Sequence, residues 1–184
     1  VVNDIPAIRA AIDAAGHDAL FMVDTIASLA CMPFEMDAWK VDVCVAAAQK
    51  GLMTPPGLAF IGANDKALAA HEAADLRTLY WDWTARGGAL HYQKYCGTPP
   101  EHLLFGLRKA LDMLLAEGLE NAWRRHALLA EATQHAVAVW AEGGVLEFNI
   151  RAAAARSPSI TTVLVGEGHS QPALLDYCLE KCNV

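Results

Sequence analysis

Two side chains able to do acid–base and nucleophilic chemistry close apolar runs in this 184-residue sequence. Asp24 ends "ALFMVD", and Lys50 follows Gln49 just past the run 41–48, "VDVCVAAA". Beyond Lys50 lies "GLMTPPGL", a glycine- and proline-punctuated turn, with no acid after Asp42 in that stretch to pair the ammonium. A lysine amine in an apolar, weakly hydrated setting is a nucleophile toward carbonyl carbon and forms Schiff bases; fully solvated at a loop start, it is an ordinary surface lysine. In open α/β sheets ligands bind at the carboxyl ends of the strands. An acid and an amine at two such ends are therefore expected to face one ligand rather than each other.

The elements that would position them are set by periodicity. Residues 4–15, with Ile5, Ile8 and Ile12 on one helical face and Asp4 as N-cap, read as a helix ended by Gly16. "ALFMVD" reads as a strand buried on both faces of a parallel sheet. A helical turn or loop, "FEMDAWK", precedes the strand 41–48, and "GLAFIGA" is a further strand before the helical "NDKALAAHEAA". From Asp75 to Gly97 the pattern loosens into a long aromatic loop with one short helix, where Tyr80, Trp81 and Trp83 line either a substrate entrance or a subunit interface. Next, "TPPEHLLFGLRKALDMLLAEG" reads as a helix with Thr98 as N-cap and Glu101 completing a capping box. Leu103, Leu104, Leu107, Leu111, Leu114 and Leu115 form its apolar face. Gly118 is a candidate hinge, a second long helix covers 119–141, and "VLEFNI", "SITTVLV" and "QPALLDYCLEKC" read as strand, strand, helix.

Composition narrows the classes. Hydrophobic residues make up 54% and charged residues 19%, sufficient for one substantial core or a core and part of another. The net charge of −7, with scattered basic residues, argues against nucleic acid as partner. No apolar run is long enough to span a membrane and the start carries no export signal, so a soluble, cytoplasmic protein is expected. Five cysteines without Cys-x-x-Cys spacing fit a reduced intracellular compartment, with Cys44 and Cys178 packing as small hydrophobes. His71, His102, His126 and His135 share no metal-ligand spacing and are read as packing or surface residues, with no metal.

"MVDTIASL" followed by "VDVCVAAAQKGLMTPPGL" resembles the paired motif of the class V, fold-type I aminotransferases, and within them the serine–glyoxylate and alanine–glyoxylate branch. The resemblance continues through "DLRTLYWDWTAR", "YQKYCGTPPEHLLFGLRKALDMLLAEGLENAW" and "SPSITTV". It implies an α/β fold with a mostly parallel sheet and helices on both faces, part of a large cofactor-binding domain (1–117), followed by the start of a smaller α+β domain (118–184). It also implies pyridoxal 5'-phosphate, carried on Lys50 as a Schiff base, with the freed amine later removing the substrate Cα proton and returning it to the cofactor's C4′ carbon. Asp24 would pair with the pyridine nitrogen and keep the ring protonated, Ile26 would pack on one ring face, and Gln49 would reach the phosphate. Tyr95 and Thr98 match positions that reach the phosphate of the neighbouring subunit's cofactor, which implies a homodimer with shared active sites. The opening of a helix at Thr98 would make that position a natural anion site.

The implied reaction moves an amino group from a small amino acid, serine or alanine, to glyoxylate or a similar 2-oxo acid. Two other classes stay open: a desulfurase or lyase on the same scaffold, whose members usually place histidine where Gln49 stands, and a non-catalytic α/β interaction module. Departures are visible as well. Ala47 and Ala48 replace the usual Gly-Ser before Gln-Lys. The family's glycine-containing phosphate loop, its ring-stacking aromatic and its substrate-carboxylate arginine have no counterpart here, as expected for a central fragment whose isolated chain is inactive.

Overall fold

The computed structural model describes residues 1–184 and divides into two compact units, Asp4–Trp123 and Arg124–Val184 with Val1–Asn3. In the first unit, helix α1 (Ile5–Ala14) starts where the Asp4 carboxylate accepts the Ala7 N–H at 2.9 Å, and Gly16 leaves it with φ +61°. Ile5 and Ile12 pack against buried Phe21, Val41 and Cys44. Ile8, expected on the same face, is 38% exposed; the helix instead buries Arg9, whose guanidinium pairs with Asp13 at 2.6 Å.

Strand β1 (Met22–Asp24) runs parallel to β2 (Val43–Ala47), with Asp24 opposite Val45. On the other side of β2, β3 (Ala59–Ala63) pairs antiparallel, so the sheet within this chain has the order β1-β2-β3 with one parallel and one antiparallel pair. Val43, Cys44 and Ala46 are buried. β1 has a single neighbour, and Met22 at its start is 61% exposed rather than covered on both faces.

The amino end of β2 is anchored by Asp42, which accepts hydrogen bonds from the Phe21 N–H (2.7 Å), Asn64 Nδ2 (2.9 Å) and Lys66 Nζ (3.3 Å). Burial pushes this carboxyl up, but the Phe21, Asn64 and Lys66 donors outweigh it and hold it below the usual carboxylate range. Asn64 also caps helix α2 (Asp65–Ala73) through the Ala67 N–H, so one polar cluster ties helix to sheet.

Two short helices, α3 (Trp83–Arg86) and α4 (His91–Tyr95), interrupt the aromatic segment. Trp83 stacks on His71 at 5.1 Å, and His71 Nε2 lies 3.1 Å from the Asp82 carboxylate that caps α3. Trp83 is thus a packing residue within the chain, while Tyr80 and Trp81 stay 60% and 71% exposed. Helix α5 (Glu101–Glu117) begins three residues beyond Thr98, later than an N-cap there would require; Pro100 occupies the cap and no capping hydrogen bond forms. The cause is local: Pro100 bars Pro99 from the helical region, so the helix starts only beyond the Pro-Pro pair. Leu114 and Ala110 are its buried residues, with Leu107 and Leu111 against a core of Ala30, Leu52, Leu114 and Ala122, whereas Leu115 is 69% exposed. Gly118 takes φ +87° and ends α5; α6 (Leu119–Ala141) follows directly.

The second unit holds the rest of α6, an antiparallel pair β4 (Leu146–Phe148) and β5 (Val163–Val165), and α7 (Gln171–Tyr177), capped by Ser170. The Arg156 guanidinium lies 3.5 Å over the Phe148 ring. No helix of the protein is long and apolar enough to cross a membrane.

Candidate active site

Asp24 and Lys50 occupy the same end of two adjacent parallel strands. Asp24 is the last residue of β1, and Lys50 lies in the turn that follows β2. That turn is tied at its base by Ala48 N–H to the Leu58 carbonyl (3.1 Å) and Thr54 N–H to the Ala48 carbonyl (3.1 Å). Inside it, the Met53 N–H donates to the Lys50 carbonyl at 2.9 Å, with Met53 at φ +58°. The backbone of Lys50 is therefore fixed while its side chain stands exposed, with no hydrogen bond or ion pair. The expected apolar, weakly hydrated surrounding is not present within this chain. The turn itself is not uniformly exposed: Ala48, Leu52 and Thr54 on either side are buried, while Gln49 and Lys50 between them stand exposed.

The Asp24 side chain is exposed but not free to swing. One carboxylate oxygen, Oδ1, accepts the Ile26 N–H at 2.8 Å, which leaves Oδ2 to accept a proton-bearing nitrogen from outside. Ile26 is half-buried beside it, and Gln49 is exposed next to Lys50. Ala48 is fully buried, so the hydroxyl that a serine would bring is replaced by a methyl packed inside the unit.

Two residues that sequence reasoning passed over hold this arrangement together. Gly51 lies flat against the turn after β1: a Cβ there would overlap the Leu29 carbonyl oxygen and come within 2.9 Å of Cys31 Sγ and 3.2 Å of Ala30 Cβ. Its signal was the glycine directly after the lysine, a residue type that marks close backbone approach. Thr25 is 1% exposed, and both its N–H (2.8 Å) and its hydroxyl (2.9 Å) donate to the Val45 carbonyl. A polar residue beside Asp24 at a strand end carried no signal of its own.

Tyr95 ends α4 and Thr98 follows it across Cys96 and Gly97; both are exposed, and neither side chain hydrogen bonds within the chain. Nothing in the chain joins them to Asp24 or Lys50. The helix-terminus argument for Thr98 falls with the start of α5 at Glu101, although its hydroxyl remains available. No disulfide joins any of the five cysteines; Cys44 is buried and Cys178 half-buried. No three His, Cys, Asp or Glu side chains cluster as metal ligands would.

The description "Aminotransferase class-V" fits the sequence over residues 1–183. The chain is 40% identical to a serine–glyoxylate aminotransferase of Methylorubrum extorquens, over all of this chain and 46% of that protein. It is 38% identical to an L-aspartate–glyoxylate aminotransferase of Paracoccus denitrificans, over 98% of this chain and 44% of that protein. A solved alanine–glyoxylate aminotransferase from Nostoc sp. superposes with a TM-score of 0.76 at 28% identity, over 96% of this chain and 46% of that one. The chain thus spans under half the length of the curated relatives it matches, and its mixed helix–strand architecture is that of part of a fold-type I transferase. With an acid and a lysine on neighbouring strand ends and a match running from its first residue almost to its last, the chain belongs to the class V aminotransferase family.

Proposed function

We propose that the protein is a pyridoxal-phosphate-dependent transaminase that moves an amino group from a small amino acid to glyoxylate or a similar 2-oxo acid. The observation that carries this reading is the pair at the carboxyl ends of β1 and β2: Asp24, with one carboxylate oxygen held by the Ile26 N–H at 2.8 Å, and Lys50, with an unpaired amine on a pinned backbone. The residues fit the cofactor. A carboxylate with one oxygen open suits a pyridinium N–H, an exposed primary amine suits an aldehyde, and half-buried Ile26 between strand and turn offers an apolar surface for a flat ring. When bound, pyridoxal phosphate supplies the aldehyde that a primary amine condenses with and the protonated ring that acts as electron sink.

The remaining work belongs to side chains of this protein. Lys50 Nζ would hold the cofactor through its aldehyde, and the same amine, when free, would serve as the base that takes the substrate's Cα proton. Asp24 Oδ2 keeps the ring nitrogen protonated. Gln49, beside Lys50, donates toward the phosphate, and Tyr95 and Thr98, which have no side-chain partner in their own chain, donate to the phosphate of a second subunit's cofactor. The protein then acts as a homodimer with two composite sites. Gly118 marks the boundary between the large and small domains in this reading.

Glyoxylate appears in the names of both the Methylorubrum and the Paracoccus relative while the donor differs. The test is a donor panel of serine, alanine and aspartate with glyoxylate or pyruvate, run on the full-length protein and on Lys50→Ala. Turnover with at least one donor, lost in Lys50→Ala, is expected; turnover that survives the substitution refutes the assignment.

A further inference from the structure

β1 is three residues long and Asp24 is the last of them, so the acid stands where a strand would be expected to fray. The residue after it is firmly held. Thr25 is among the most completely buried side chains of the protein, and a buried hydroxyl must find a partner. It finds one in the Val45 carbonyl, which accepts both the Thr25 hydroxyl (2.9 Å) and the Thr25 N–H (2.8 Å), filling both lone pairs of one oxygen. Val45 is the residue directly opposite Asp24 on β2. Cys44 Sγ lies 3.4 Å from the same hydroxyl on the buried side.

The Thr25 carbonyl also opens the next turn, accepting the N–H groups of Ser28 (3.0 Å) and Leu29 (2.9 Å). That turn delivers the Leu29 carbonyl against Gly51, the residue after Lys50. The contacts close a ring: Asp24 to Thr25, through the turn to Leu29, across to Gly51 and Lys50, back along β2 to Val45, and from Val45 to Thr25. The β-branched side chain, stiff about χ1, is suited to such a junction.

We propose that Thr25 is a positioning residue whose hydroxyl, bonded to the Val45 carbonyl, sets the Asp24 carboxylate relative to Lys50. The inference rests on the proposed cofactor role of that pair. Thr25→Val keeps the branched shape and leaves Val45 its bond from the residue-25 N–H, so it removes the clamp without orphaning an acceptor.

The test compares full-length wild type, Thr25→Val, Thr25→Ala and Thr25→Ser. One readout needs no cofactor: amide hydrogen exchange at residues 24–26 of the apoprotein. Loss of one net hydrogen bond speeds that exchange about fivefold to tenfold in Thr25→Val, while Thr25→Ser stays within about twofold of wild type. With pyridoxal phosphate bound, Thr25→Val shifts the pH midpoint of the cofactor's visible absorbance and lowers kcat about fivefold to tenfold with KM nearly unchanged, and Thr25→Ser restores both. Thr25→Ala is read in the same way should the valine variant not fold. Exchange rates and pH midpoint equal to wild type in the hydroxyl-free variants, or equal loss in Thr25→Ser, overturn the proposal. A wild type that binds no cofactor at Lys50 overturns the functional reading instead, and the exchange measurement still decides whether the clamp exists.

Discussion

Replacing Gly51 by alanine perturbs the candidate site without touching a reacting atom. The new Cβ would overlap the Leu29 carbonyl and stand 2.9 Å from Cys31 Sγ and 3.2 Å from Ala30 Cβ. Ordinary carbon contacts lie at about 3.5–4.0 Å, and the overlap with the carbonyl oxygen is the worst of the three, so relief needs a displacement of about 1 Å or more. Neither side yields easily: the Leu29 oxygen belongs to a backbone turn anchored on Thr25, and Cys31 and Ala30 are buried. Overpacking of this kind costs about 1–3 kcal/mol of stability. Its larger effect is on Lys50, the proposed reacting amine, carried away from Asp24 by the same displacement, and a misplacement of about 1 Å in such a group costs on the order of 100-fold in rate. Urea unfolding reads the first quantity and kcat/KM with the best donor reads the second. A Gly51→Ala protein that loses stability as stated yet keeps kcat/KM within about threefold would refute the idea that this contact sets the lysine.

Asp42→Asn puts an amide where the Phe21 N–H, Asn64 Nδ2 and Lys66 Nζ all expect an acceptor, and should cost about 2–4 kcal/mol in urea unfolding near neutral pH. Because the folded Asp42 carboxyl titrates below its ordinary value, its contribution is fully present above about pH 4 and is lost as pH falls through the folded value. The stability gap between wild type and Asp42→Asn should therefore shrink as pH falls below about 4; a gap that stays constant or widens on acidification contradicts the assignment. Asp24→Asn keeps the Ile26 N–H contact but removes the charge proposed to face the ring nitrogen, and is expected to lower kcat by about two orders of magnitude or more, with borohydride still trapping cofactor on Lys50. An Asp24→Asn enzyme with unchanged kcat would remove Asp24 from the mechanism.

Much of this arrangement is legible in one dimension because it rests on local physics. Asp4 caps α1 and the second long helix runs 119–141, since capping chemistry and apolar period act over a single turn or stripe. The acid and the lysine are legible as ends of apolar runs. What the chain hides is non-local. Whether a buried strand pairs parallel or antiparallel leaves no mark on "GLAFIGA", and β3 lies antiparallel. Met22 reads as buried because it is apolar, but burial depends on a second neighbouring strand that β1 lacks in this chain. Thr98 fails as a cap because two prolines in succession override the capping box, a conflict between two local rules. Thr25 matters through a carbonyl on another strand, and Asp42 through a helix that comes later in the chain.

The central claim is that Lys50 binds the aldehyde of pyridoxal phosphate while Asp24 faces its ring nitrogen. Borohydride reduction of the full-length protein after incubation with the cofactor, with subsequent peptide mapping, measures the first half directly. The mass of one reduced pyridoxyl phosphate on the peptide containing Lys50, absent in Lys50→Ala, is the result expected. A label on another lysine, or none on Lys50 at saturating cofactor, would contradict it.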